Sequence, residues 1–220
     1  MIANVSDIHQ PNILGQFVAS GYSEQTQATQ DIVVLGSTAY LACGVDGIRV
    51  VDVSDPANPG LVQNLSCGSG STRLYSLGDF LFASCTDRIL AFNVSNQSRN
   101  DVVWAYEYPG LASWYVSSLG LAVTEDGFLI SVGDLGMDVF SLASFPPTFV
   151  RNEPSLLHAC SVAASGSVAF IVGPTPAGGV ASLDVSDLAS GVSVIDQIPS
   201  TSFTWPTNLV VRGGVIYVSD

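Results

Sequence analysis

The chain contains no lysine. Its side-chain cations are six arginines, set against 19 acidic residues, for a formal charge of −13 over 220 residues. Sequence-independent nucleic-acid binding needs many cationic contacts to release counterions, so that class of function is excluded. Docking on anionic lipid headgroups is excluded on the same ground. Histidine is nearly as scarce: His9 and His158 stand far apart, neither at a metal-ligand spacing nor beside a nucleophile pattern. Gly68-Ser69-Gly70 and Gly178-Gly179 read as turns, because a phosphate-binding P-loop requires a lysine. No nucleophile elbow and no calcium-loop alternation of carboxylates is present, so neither a cofactor nor a metal is expected. No run approaches the ~18 apolar residues of a membrane-spanning helix. Met1 is not followed by a basic stretch and an apolar core, so no signal peptide is visible.

What the chain does have is core-forming material, 47% hydrophobic against 11% charged, which excludes intrinsic disorder. Twenty-one glycines and 11 prolines, without a long stripe of period 3.6, predict many short strands and turns. The strands repeat. Val33-Val34-Leu35-Gly36-Ser37-Thr38-Ala39-Tyr40-Leu41-Ala42 is followed by Gly47-Ile48-Arg49-Val50-Val51-Asp52-Val53-Ser54-Asp55-Pro56, and the second half recurs around Val94 and Val185, in worn form around Leu142, and truncated around Val5. Those five anchors step by 48, 41, 48 and 43 residues; Tyr40, Phe82, Leu129, Phe170 and Tyr217 step independently by 42, 47, 41 and 47. Each unit resolves into four strand-like pieces joined by short glycine-containing links that suit antiparallel hairpins. Four strands per ~45 residues is the size of a β-propeller blade, which cannot bury both faces alone and must stack on its neighbours.

The stretch Gly47-Ile48-Arg49-Val50-Val51-Asp52-Val53-Ser54-Asp55-Pro56, with Asn58-Pro59-Gly60 after it, resembles the LVIVD-repeat proteins of bacteria and archaea. The unit around Leu142 departs most, with Ser141 and Phe145 where that pattern prefers Asp and Pro. The resemblance implies an all-β propeller, often on a secreted or cell-surface protein, and implies no reaction. The expected organisation is one propeller domain over 1–220: a partial blade at 1–21, blades at 31–69, 72–112, 119–157 and 160–200, and a partial blade at 208–220. The partial blades are complementary, third and fourth strands at one end and first and second at the other. Pairing them would close a five-bladed ring and remove exposed edges; the alternative is that the chain is a segment of a larger propeller.

In such a fold the first strand lines the axis, so its opening residues form a polar register near one channel mouth: Asp31, Arg73, Ser161 and Asn208, with Gly120 in the worn unit. Varied polar side chains at one register suit a binding surface; the competing use is bonding of nearby backbone. The adjoining links carry Trp114-Tyr115 and Trp205, whose apolar faces and polar tips suit protein or sugar recognition as well as packing. Asp46, Asp87 and Asp134 recur between second and third strands, as turn residues do. Cys43 and Cys85 share a register on successive units, too far apart for the ~7 Å reach of a disulfide, and read as small buried side chains. Trp104 and Tyr106 share one face of a fourth strand and are expected to pack on a neighbour. The reading that follows is a non-catalytic scaffold for a protein or carbohydrate ligand, its acidity favouring cationic partners. The alternative is a glycan-active propeller using channel-mouth carboxylates.

Overall fold

The computed structural model describes residues 1–7, 9–18, 29–68, 70–96, 100–108, 120–156, 158–173, 179–199 and 207–219. Four sheets hold four strands each, taken in chain order. They are β3 to β6 (Asp31–Leu35, Thr38–Ala42, Ile48–Asp52, Gly60–Leu65), β7 to β10 (Ser71–Leu77, Phe80–Cys85, Arg88–Asn93, Asp101–Glu107), β11 to β14 (Gly120–Val123, Phe128–Gly133, Gly136–Ser141, Thr148–Glu153) and β15 to β18 (Ser161–Ser165, Val168–Gly173, Gly179–Asp184, Ser193–Ile198). Two-stranded sheets stand at the ends, β1 (Ile2–Asn4) with β2 (Asn12–Gly15) and β19 (Asn208–Arg212) with β20 (Val215–Ser219). These sheets are the blades of a β-propeller. The expected ladder between β1 and β20 is not among the described pairings. The chain divides into two compact units, Met1–Ala83 with Phe92–Asp101, and Ser84–Ala91 with Val102–Asp220.

The repeat is explained by three local devices. At the end of each third strand a side chain accepts the amide two residues on: Asn4 from Ser6, Asp52 from Ser54, Asn93 from Ser95, Asp184 from Ser186, at 2.8–3.0 Å. This turn is why Asp or Asn precedes Val-Ser, and it survives in the worn unit, where Ser141 Oγ accepts from Ala143 at 3.3 Å. Hydrogen bonds from Ser54 and Ser186 hold the Asp52 and Asp184 carboxyls below their ordinary value. Second, the anchor residue itself donates its amide to the turn between first and second strands: Val53 to Ser37, Val94 to Asp79, Leu142 to Gly127, Val185 to Ser167. Third, the third strand starts on a glycine at positive φ in Gly136 (105°) and Gly179 (94°), where a Cβ would lie 2.4 and 2.2 Å from the carbonyls of Glu153 and Ile198 closing the fourth strand.

These devices also correct one anchor. Counting three residues from the turn carbonyl reaches Tyr40, Phe82 and Phe170, but Ile130 rather than Leu129 in the worn unit. The pairing agrees, since Ile130 lies opposite Ala122 and Val139 as Tyr40 lies opposite Val33 and Val50. The longer Thr124–Gly127 turn shifts the strand by one residue, which in a pleated strand exchanges the two faces.

Within the second unit the sheets pack face on face. Ala122, Ile130, Val132, Met137 and Val139 of one sheet form a core with Val162, Ala169, Ile171, Ala181 and Leu183 of the next. Val172 and Val180 then pack with Leu209 of the terminal hairpin. First strands run beside first strands, β11 by β15 and β15 by β19, and in the first unit β3 by β7. Outermost strands are exposed, β18 at every residue.

Candidate functional site

Neighbouring first strands place the polar register against backbone. Asp31 accepts the amide of Ile32 through Oδ1 at 2.8 Å and that of Leu74, on β7, through Oδ2 at 2.9 Å. Ser161, on β15, repeats the arrangement with β19: its Oγ receives the amide of Leu209 at 3.4 Å and donates to Asn208 Oδ1 at 2.7 Å. Leu74 follows Arg73 and Leu209 follows Asn208, so the two contacts are equivalent. Gly120 supplies the worn variant. A Cβ there would stand 2.9 Å from Ser161 Cα and from the amide nitrogen of Val162, the same point on the next first strand. The backbone partner is therefore the neighbouring blade rather than the incoming link. Arg73 differs: it donates to the Thr72 carbonyl at 3.1 Å while its Nε is buried and has no hydrogen-bond partner among the described residues. Trp114, Tyr115 and Trp205 lie outside the described residues.

Asp31, Ser161 and Asn208 thus join blades through hydrogen bonds. Asp31→Ala leaves the Leu74 amide without its acceptor and is expected to lower the unfolding free energy by about 1 kcal/mol, whereas Asp31→Asn keeps an acceptor and most of the stability. Urea unfolding of the two variants checks this.

The recurring turn aspartates each hold a partner. Asp46 pairs with Arg49 at 2.9 Å, and Asp87 with Arg88 at 2.9 Å, Arg88 reaching Glu107 as well at 3.0 Å. The Asp87 hydrogen bond is the chief cause of a raised Arg88 pKa. Asp134 Oδ1 lies 3.0 Å from Nδ1 of His158, an exposed residue held at φ 64°. Cys43, Cys67 and Cys85 are buried, and none of them forms a disulfide among the described residues.

One polar cluster was not anticipated from the sequence. Asp138, 4% exposed, sits on β13 where the other complete units carry Arg49, Leu90 and Ala181. It accepts from Asn152 Nδ2 at 2.9 Å and bonds Tyr108, whose hydroxyl meets buried Ser131 Oγ at 3.1 Å. Burial pushes its carboxyl pKa up against the opposing effect of these bonds. The available signal was an acid at a register where two of the three other complete units carry an apolar residue, Leu90 and Ala181. Because the folded chain holds this proton to higher pH than the unfolded chain does, the associated stability is complete below the unfolded pKa and is lost as pH rises through the folded one. Asp138→Asn removes that slope, so its stability relative to the parent chain is expected to be greater at pH 7 than at pH 4, read by urea denaturation.

The first unit carries an apolar cleft. Two adjoining cavities of about 400 and 300 Å³ share Met1, Phe17, Ile32 and Leu41; Val34, Ala39 and Val51 line the second. Ile32 and Val34 are each 55% exposed.

The blades and their axial joints define a β-propeller built from short repeats. Residues 27–66 match the LVIVD repeat, which the chain therefore carries. Among solved structures it is similar to BamB from Moraxella catarrhalis (15% identity, TM-score 0.62, 86% of this chain and 54% of that one). It is also similar to a chain of the nidogen/laminin complex (12%, 0.60, 87% and 72%) and to the computationally designed Ika8 protein (10%, 0.61, 87% and 55%). The chain thus spans about half the length of BamB and of Ika8. No curated protein sequence matches it.

Proposed function

We propose that this propeller is a non-catalytic acidic scaffold of a secreted or cell-surface protein, and that it binds a protein partner with a cationic surface. One observation supports this most. Three of the six arginines, Arg49, Arg88 and Arg151, are already ion-paired to Asp46, to Asp87 with Glu107, and to Glu153, so these cations are neutralised locally in a chain whose formal charge is −13. Such a field accelerates encounter with basic partners and is screened by salt. The nidogen/laminin complex contains a chain of similar fold.

The test is biosensor association of the chain with a basic and a neutral model protein at 50 and 300 mM salt. Faster association with the basic protein, falling about tenfold at the higher salt, is expected. Equal rates for both, or selective capture on a glycan array, would replace the proposal. Turnover on a glycoside panel that Asp134→Asn abolishes would overturn the non-catalytic part.

A further inference from the structure

Asp138 is a carboxyl enclosed without a counter-ion. It lies mid-sheet, opposite Ser131 on β12 and Asn152 on β14, and no ion pair among the described residues includes it. Strand alternation explains why. Arg151 and Glu153 flank Asn152, so they stand on the other face of the sheet, where they pair with each other and Arg151 donates to the Ala189 carbonyl at 3.5 Å. Glu107 stands between Tyr106 and Tyr108, so it too leaves from the opposite face of its strand, and Arg88 holds it there. In the β12–β13 turn Asp134 meets His158. The short turn Pro154–Leu156, packed on β13, carries no ionisable side chain. The titratable groups facing Asp138 among the described residues are therefore two phenols, Tyr106 and Tyr108.

Tyr108 makes this position a joint between sheets. Its amide donates to the Asp87 carbonyl in the β8–β9 turn of its own sheet at 3.1 Å. Its hydroxyl reaches Ser131 and Asp138 on the next sheet. Tyr106, two residues earlier, lays its ring against Phe140 at 4.8 Å and Phe149 at 5.6 Å. Polar bonds and rings thus close one seam. With its proton, Asp138 donates one bond and accepts the Asn152 amide, so its needs are met without water. As a carboxylate it offers about four acceptor sites to the two donors Asn152 and Tyr108, and a charge so enclosed is costly. Burial accordingly outweighs those bonds and raises the carboxyl pKa. Any conformation that brings water to Asp138 holds the proton less tightly, so linkage makes such opening more frequent as pH rises.

We propose that Asp138 is a pH-sensitive latch on the seam between β10 and β13: protonated, it keeps the seam shut, and on giving its proton to solvent it lets the end of β10 lift and water enter. In the open form the Tyr108 hydroxyl leaves Ser131, and the rings of Tyr106, Phe140 and Phe149 gain solvent. The motion is local, because Met137 and Val139 on the opposite face of β13 stay in the core with Ala169, Ile171 and Leu183.

Hydrogen exchange read by mass spectrometry from pH 4 to pH 7, with rates corrected for the intrinsic pH dependence of exchange, tests the latch. In the parent chain, protection of peptides spanning Val102–Tyr108 is expected to fall about threefold or more across that range, while peptides from β15 to β17 keep theirs. Asp138→Asn fills the same space without a charge and is expected to show no fall. Tyr108→Phe deletes a bond that favours the carboxylate form, and is expected to deepen the fall. His158→Gln removes the other titrating pair beside this sheet and is expected to behave like the parent. A pH-independent parent, a fall that survives Asp138→Asn, a fall left unchanged by Tyr108→Phe or abolished by His158→Gln, or an equal loss of protection over all the sheets would each overturn the proposal.

Discussion

Phe140→Ala is expected to lower the unfolding free energy by about 3–5 kcal/mol, the largest loss from any single truncation proposed for this chain. Phe140 lies on β13 of the worn blade with no solvent exposure. Its ring meets Trp104 edge-on at 5.5 Å, Tyr106 at 4.8 Å and Phe149 at 5.6 Å. Tyr106 in turn stacks on Phe149 at 5.6 Å and meets Tyr108 at 5.2 Å. Truncation therefore removes apolar area, opens a void that ring-sized neighbours cannot collapse into, and dissolves three oriented aromatic contacts, each worth about 0.5–1.5 kcal/mol beyond burial. Phe140→Leu fills much of the void but restores no ring edge, and should fall between the two. Urea denaturation of all three proteins measures this order; a Phe140→Ala loss below about 1 kcal/mol would mean that the cluster packs loosely.

That cluster shows why some of the architecture was legible and some was not. Val53, Val94 and Val185 announce the repeat because a backbone bond and an adjacent side-chain turn both depend on their position, so the spacing is under two local constraints. Trp104 and Tyr106 could be assigned to a packing face because alternation along a strand decides which side chains share it. Their partners, Phe140 and Phe149, could not be named, since they lie 34–45 residues away and no local rule links them. The Leu129 anchor failed for a related reason: both Leu129 and Ile130 are apolar and fully buried, so hydrophobicity cannot report a one-residue slip. Asp138 was overlooked because its partners, Tyr108, Ser131 and Asn152, come from three other strands or links. Backbone bonding was one of the two uses the sequence offered for the polar register, but the amide each member reaches could not be named, because which amide faces Asp31 or Ser161 is decided by the neighbouring blade.

Gly120 offers the sharpest test of that axial register. Gly120→Val is expected to destabilise the chain by about 3 kcal/mol. Elsewhere an added Cβ gains stability by stiffening the unfolded chain, by about 0.4–1 kcal/mol. Here it meets Ser161 Cα, the Val162 amide nitrogen and Val132 Cγ2, all at 2.9 Å, and two of those three atoms are backbone that cannot swing aside. The strands β11 and β15 must separate, which strains the core formed by Ala122, Ile130 and Val162 between them. Gly120→Ser carries the argument further. Serine at this register bonds the next first strand from position 161, so if register alone mattered the substitution would be harmless or stabilising. If instead the worn blade sits closer because it lacks a side chain, the new hydroxyl has no room, and Gly120→Ser should lose about 1–3 kcal/mol despite matching its neighbour. Thermal and urea unfolding of the two variants separate these cases: parent-like stability in Gly120→Ser would show that the close approach is incidental, and a loss in both would show that a blade joint can be made either by a side chain that reaches or by a strand that comes near.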